Sequence, residues 1–175
     1  MTPPKKRAVR VTLLIVGEGD AEVTFLRHLR ALYGAELGRS VTIKNAFGGG
    51  GHQALQQAIR EVRFLAYDRV VLMIDNDTHW TDADRRQAEK AKIRVIESSP
   101  CIEATLLKIA GHRPKELTAD LKKQFANIFG CEAHETDYLD KHFGRVVVDR
   151  ARDSVLELHD LMNHMGIAKQ RNMTL

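Results

Sequence analysis

Only two cysteines, Cys101 and Cys131, occur in 175 residues, and they form no CxxC pair. That excludes a disulfide framework and a zinc cluster, and such usage fits a reducing cytoplasm best. Long hydrophobic runs are missing too. The longest, VTLLIV and VVLMI, fall far short of the ~20 residues that cross a bilayer. The basic start MTPPKKRAVR leads into a strand rather than a signal-peptide apolar region, so a soluble protein with no membrane partner is expected. Nor is there a large excess of one charge. With 27 Lys and Arg against 23 Asp and Glu, the net charge is +4, which permits a nucleic-acid partner without requiring one. No internal repeat or low-complexity linker divides the chain, and 43% hydrophobic residues are enough for one domain with a sizeable core.

Two familiar motifs begin and are not completed. The run Gly48 to Gly51 lies between a strand and a helix, where bare amides at Gly49 and Gly50 can hold a phosphate, but no GK[ST] follows, so it is not a nucleotide-binding P-loop. A flexible connector is the alternative. GEGDAE starts like a dinucleotide fingerprint but has Glu22 where the third glycine belongs.

Hydrophobic periodicity predicts alternating strands and helices. Residues from about Arg10 to Val16 read as a buried strand; then Val23, Leu26, Leu29, Leu32 and Tyr33 fall at helical spacing. VTIKNAF is a second strand and HQALQQAIREVRFLAY a second helix, followed by strand RVVLMID, polar helix DADRRQAEKAK, short strand IRVIESS and helix CIEATLLKIAG. The order βαβαβαβα predicts an α/β fold with a mostly parallel four-stranded sheet. After Gly111 the pattern is helical: PKELTADLKKQFANIF, ETDYLDKHF and one long run RVVVDRARDSVLELHDLMNHM. The expected organisation is a basic tail over 1–9, an α/β domain over 10–111 and a helical cap over 112–175 on the same domain, with KQRNMTL frayed at the end.

What stands out is where the carboxylates sit. VGEGDAE places Glu18 and Glu22 just after the first strand, and IDND places Asp75 and Asp77 at the end of the third. Two carboxylates ~4 Å apart repel by about 1 kcal/mol in water and about 4 kcal/mol at the effective dielectric of a protein surface. A divalent cation reverses that repulsion, so such a cluster is a candidate for metal-assisted phosphate chemistry. Ligands of open α/β sheets sit outside the carboxyl ends of the strands, and both motifs lie at such ends. Asp75 and Asp77 face the same way, about 6.6 Å apart at ~3.3 Å per residue. The competing reading of the first motif makes Asp20 the N-cap of the first helix and Glu22 a partner of its dipole.

The glutamate of VGEGDAE and the DND after a central hydrophobic strand resemble the TOPRIM domain of topoisomerases, bacterial primases and OLD-type nucleases. IRVIESSPCIEATLL, with Pro100 and Glu103 beyond the fourth strand, resembles the RloB-type branch. The likeness spans roughly Leu13 to Leu107. It implies a Rossmannoid TOPRIM-like fold and a Mg²⁺ (or Mn²⁺) site built from Glu18, Asp75 and Asp77, with Glu22 and Glu103 nearby. Glu18 would be the general acid or base and the aspartates metal ligands. It further implies a nuclease acting on DNA or RNA in bacterial defence against phage, with an ABC- or SMC-type ATPase partner. Thr78, His79 and Trp80 depart from the glycine that often follows the DxD. Tyr33, Tyr67 and Tyr138 sit in or at the ends of expected helices, so hydrolysis by a metal-activated water is expected rather than strand passage.

Around this set, His52 and His79 are candidates for contact with the scissile phosphate or leaving group, and Arg85 and Arg86 for guiding a nucleic-acid backbone. Each also reads as an ordinary surface side chain. Trp80 is either a base-stacking platform or the anchor of its loop. Glu103 is either part of the site or a helix N-terminal carboxylate. A non-catalytic binding module and a hydrolase of small phosphorylated molecules are the alternatives, and a homo-oligomer is left open.

Overall fold

The computed structural model describes residues 10–76 and 80–169. The expected basic tail over 1–9, most of the expected frayed end, and Asp77, Thr78 and His79 lie outside the described residues. Four strands form one sheet: β1 (Thr12–Gly17), β2 (Ser40–Asn45), β3 (Arg69–Asp75) and β4 (Ile93–Ser98). All neighbours are parallel and the order is β2-β1-β3-β4. Helices α1 (Asp20–Leu32), α2 (Gly50–Phe64) and α3 (Asp82–Lys90) make the crossovers, and α4 (Ile102–Ile109) follows β4.

The apolar runs are continuous because both sheet faces are covered. Period-two alternation sends Leu13, Ile15, Val71 and Met73 to one core, shared with Phe25, Leu26 and Leu29 of α1. Leu14, Val16, Val70, Leu72 and Ile74 point to the other, shared with Ala54, Leu55 and Ala58 of α2 and Ala88 of α3. Each parallel crossover needs a helix to bury a face, so sequence period and topology agree.

Four more helices follow: α5 (Thr118–Phe129), α6 (Asp137–His142), α7 (Arg145–Ala151) and α8 (Leu156–Met165). They share the core of the α1 side, where Phe125, Phe129, Tyr138 and Phe143 stack in edge and tilted contacts and Phe143 meets Phe25 with centroids 6.4 Å apart. This aromatic packing fixes α5 beside the carboxyl ends of the strands.

Two sequence expectations shift. The helix foreseen from Pro114 starts at Thr118, because the Gln124 side chain satisfies the preceding loop, accepting from Lys115 N–H at 3.0 Å and donating to Arg113 O at 2.9 Å. The long C-terminal run is two helices. Ser154 bonds back to Ala151 O through both its N–H (3.0 Å) and its hydroxyl (3.1 Å), and Val155 N–H reaches the same carbonyl at 2.9 Å, so the first helix closes on Ala151. Arg152 turns inward there, donating to Asn163 Oδ1 and Ile167 O. Among the described residues no helix is long and apolar enough to cross a membrane.

Candidate functional site

In this strand order the chain leaves β1 toward β2 on one side and enters β3 on the other, so the topological switch point lies between the carboxyl ends of β1 and β3. That is where crossovers part and leave a crevice. Glu18 follows β1, and its N–H donates to Met73 O of β3 at 2.9 Å. Its side chain returns the link, with Asp75 N–H donating to Glu18 Oε2 at 3.1 Å. Asp75 is the last residue of β3 and half-buried.

Glu22 lies on the first turn of α1 and is buried. Its Oε2 accepts the N–H of Gly19 at 2.9 Å, one half of a capping box. The cap is therefore Gly19 rather than the expected Asp20, whose carboxylate accepts from Asn45 Nδ2 at 2.6 Å instead. A glycine cap has no side chain to offer α1, so Glu22 supplies the hydrogen bond. Burial above all, with the charge of Glu18 adding, pushes the Glu22 carboxyl above its ordinary value, against the lowering effect of backbone N–H donors and of Asp75.

Glu103, in the first turn of α4, is 8% exposed, and its Oε2 has no hydrogen-bond partner among the described residues. Beside it, burial first and then the Glu103 carboxylate push the Cys101 thiol up to about 12.

Glu18, Glu22, Asp75 and Glu103 line one cleft of about 770 Å³. Lys122, Lys123 and Ala126 of α5 and Glu132 and His134 of the loop after it line the same cleft. An all-oxygen donor set suits a hard dication such as Mg²⁺. Among the described residues no three His, Cys, Asp or Glu side chains stand close enough together to hold a metal ion. Asp77, part of the expected ligand set, lies outside the described residues.

The glycine run flanks this cleft. Gly48 N–H donates to Glu18 O at 2.8 Å, and Gly48, Gly49 and Gly50 have φ of +80°, +89° and +84°, which only glycine adopts without strain. Gly48 lines the cleft, whereas Gly49 and Gly50 are not among its lining residues.

Other candidates are placed elsewhere. His52 pairs with Asp84 at 2.6 Å, and Asp84 also caps α3 by accepting from Thr81 N–H and donating its own N–H to Thr81 Oγ1. The Arg85 guanidinium donates to both Glu97 oxygens, at 3.2 and 2.9 Å, and lies over the Trp80 ring. Trp80 Nε1 bonds to Glu97 Oε1 at 3.1 Å, so the indole anchors its loop. With its donors engaged inside the protein, Arg85 is not free to guide a polyanion; Arg86 is exposed and, like His52 and Arg85, is not among the cleft's lining residues. His79 is outside the described residues.

Sequence reasoning missed Lys122, Lys123 and His134. They lie in a segment read only as a helical cap, and no local pattern announces that the cap folds back over the strand ends. Against known proteins, the chain matches no family model, no curated protein and no solved structure.

Proposed function

We propose that this chain is a divalent-metal-dependent phosphodiesterase acting on nucleic acid. One observation carries the reading: Glu18 and Asp75, from the two strands that flank the switch point, are hydrogen-bonded together on the floor of a cleft that Glu22 and Glu103 also line. A folding chain gains no stability by burying carboxylates side by side, so a ligand of opposite charge is the physical reason to keep them.

By the TOPRIM resemblance, Glu18, Asp75 and Asp77 would hold Mg²⁺ or Mn²⁺, with Glu22 and Glu103 nearby; the described acids do not by themselves form a metal-binding group. Bound there, the cation would acidify a water and neutralise charge on the phosphate. Glu18 is oriented by the Asp75 amide, and Glu22 is the carboxyl whose surroundings favour holding a proton. By the same resemblance, proton transfer would fall to Glu18. An ABC- or SMC-type ATPase partner and a defence role extend the proposal on that resemblance alone.

The test is incubation of the purified chain with plasmid, single-stranded DNA and RNA, including transfer RNA, in Mg²⁺, Mn²⁺ or EDTA. Cleavage that needs metal and disappears in Asp75→Ala and Glu18→Ala supports the reading, while equal activity in both variants rejects it. That no three His, Cys, Asp or Glu side chains among the described residues stand close enough to hold a metal ion favours a second reading, a non-catalytic module that binds phosphorylated ligands. Saturable metal or ligand binding with no cleavage would select it.

A further inference from the structure

The acidic floor alone would repel a polyanion, yet the cleft also carries lysines. Lys122 and Lys123, exposed on α5, line the same cleft as Glu18, Glu22 and Asp75, and neither has an ion-pair partner among the described residues. The buried Glu103 Oε2, which lacks a hydrogen-bond partner there, lies in the same cleft. A cleft lined by two cations without ion-pair partners and by a carboxylate oxygen without a hydrogen-bond partner among the described residues suits a ligand that carries its own phosphate and recruits a cation.

Next to Gly48, which lines the cleft, stands Phe47. It is 87% exposed and has φ +61°, a backbone region that a bulky side chain seldom occupies. Two bonds hold its loop to the cleft: Phe47 N–H donates to Asn45 Oδ1 at 2.7 Å, with Asn45 in turn donating to Asp20, and Gly48 N–H donates to Glu18 O. Backbone strain that presents an aromatic ring to solvent beside a cleft points to use by a ligand rather than by the core. Every base offers a face on which such a ring can stack. The cleft volume of about 770 Å³ lies in the range of ligand pockets, about 300–1,000 Å³, so it takes a strand of a nucleotide or two and not a duplex.

We infer that the cleft binds single-stranded nucleic acid, with Lys122 and Lys123 on the backbone phosphates and Phe47 stacked on a base. The fate of the strand rests on the phosphodiesterase reading; its capture does not.

The experiment is fluorescence anisotropy of the full chain with a labelled single-stranded oligonucleotide and the matching duplex, titrated in EDTA and in Ca²⁺ across a salt series. The single strand should bind at least 10-fold tighter than the duplex. Lys122→Gln with Lys123→Gln should weaken binding about 10-fold and flatten the log K against log salt slope by about 1.4, from ~0.7 per phosphate contact. Phe47→Ala should weaken binding several-fold, and Phe47→Trp should restore it. All these side chains are exposed, so circular dichroism should show unchanged folding. Equal or tighter duplex binding, no binding in either buffer, or an unchanged slope in the double lysine variant would overturn the inference. Tight binding without any cleavage in Mg²⁺ or Mn²⁺ would sink the phosphodiesterase reading and leave this one standing.

Discussion

The amide of Asp75 donates to Glu18 Oε2 at 3.1 Å, joining the ends of two parallel strands that lie 57 residues apart in the chain. It brings the first acid of each acidic motif together. One sheet rung separates the acids, so their spacing is set by rigid backbone rather than by loop conformation.

Asp75→Asn and Glu18→Gln should each lower metal-dependent cleavage by at least 100-fold while leaving the metal-free protein as stable as the parent or more so, since a costly carboxylate is removed. Mg²⁺ at about 100 times its dissociation constant stabilises by ~2.7 kcal/mol, which for a domain of this size is on the order of 5–10 °C in Tm. Thermal melts with and without Mg²⁺ check this. Equal Mg²⁺ shifts in parent and variants would remove these side chains from any metal site.

Gly17 closes β1 against α1: a Cβ there would sit 2.9 Å from Val23 Cγ2 and 3.0 Å from Glu22 Cβ. Gly17→Ala should cost about 1–3 kcal/mol by overpacking and shift Glu22, so activity should fall more than stability. Urea denaturation set beside cleavage rates separates the two effects. A variant with parent-like stability and rate would show that the helix yields freely.

Arg152 is 4% exposed and donates to Asn163 Oδ1 at 2.7 Å and Ile167 O at 2.9 Å, joining the end of α7 to the last turn of α8 and the segment beyond. Arg152→Met should lose about 1–3 kcal/mol, because the buried Ile167 carbonyl loses its donor. Cleavage at low temperature should persist, as the site stands on other elements. Equilibrium unfolding measures the first and a rate at 15 °C or so the second.

The two thiols should part company under alkylation. Cys101 is fully buried with its thiol pushed up to about 12, whereas Cys131 is half-buried. Since the thiolate is the reactive form, iodoacetamide at pH 8 should label Cys131 alone in the native protein. Cys101 should react only past the unfolding midpoint. Mass spectrometry of labelled peptides would expose any native reaction at Cys101.

His164, on α8, is held below its ordinary value of 6.5 by burial first and then by the charges of Arg94 and Arg39. The unfolded chain therefore takes up a proton more readily than the folded one. This contribution to stability is complete above about pH 6.5 and is lost as the pH falls toward the depressed folded value. Urea midpoints measured from pH 7 to 5 should drop less for His164→Gln than for the parent. Parallel curves would assign the loss to other groups.

Much of this architecture is readable locally. Alternating Leu, Ile and Val on β1 and β3 must face two cores, and a strand with both faces buried calls for helical crossovers. Glu18 and Asp75 follow from their place at strand exits. The cap of α1 was not readable, because Asp20 and Gly19 both suit that position and the choice depended on Asn45, 25 residues away, engaging Asp20. Arg85 looked like a phosphate contact until Glu97, on the neighbouring strand, claimed its guanidinium.

Strand period, helix period and the acids at strand ends were determined by the sequence itself, since each rests on backbone geometry repeating over a few residues. Strand order, the pairing of Glu18 with Asp75 across the switch point, and the folding back of α5 to bring Lys122 and Lys123 into the cleft that the carboxylates line were decided only by tertiary structure. These depend on which apolar faces bury one another, a choice made between segments far apart in the chain that no local pattern encodes.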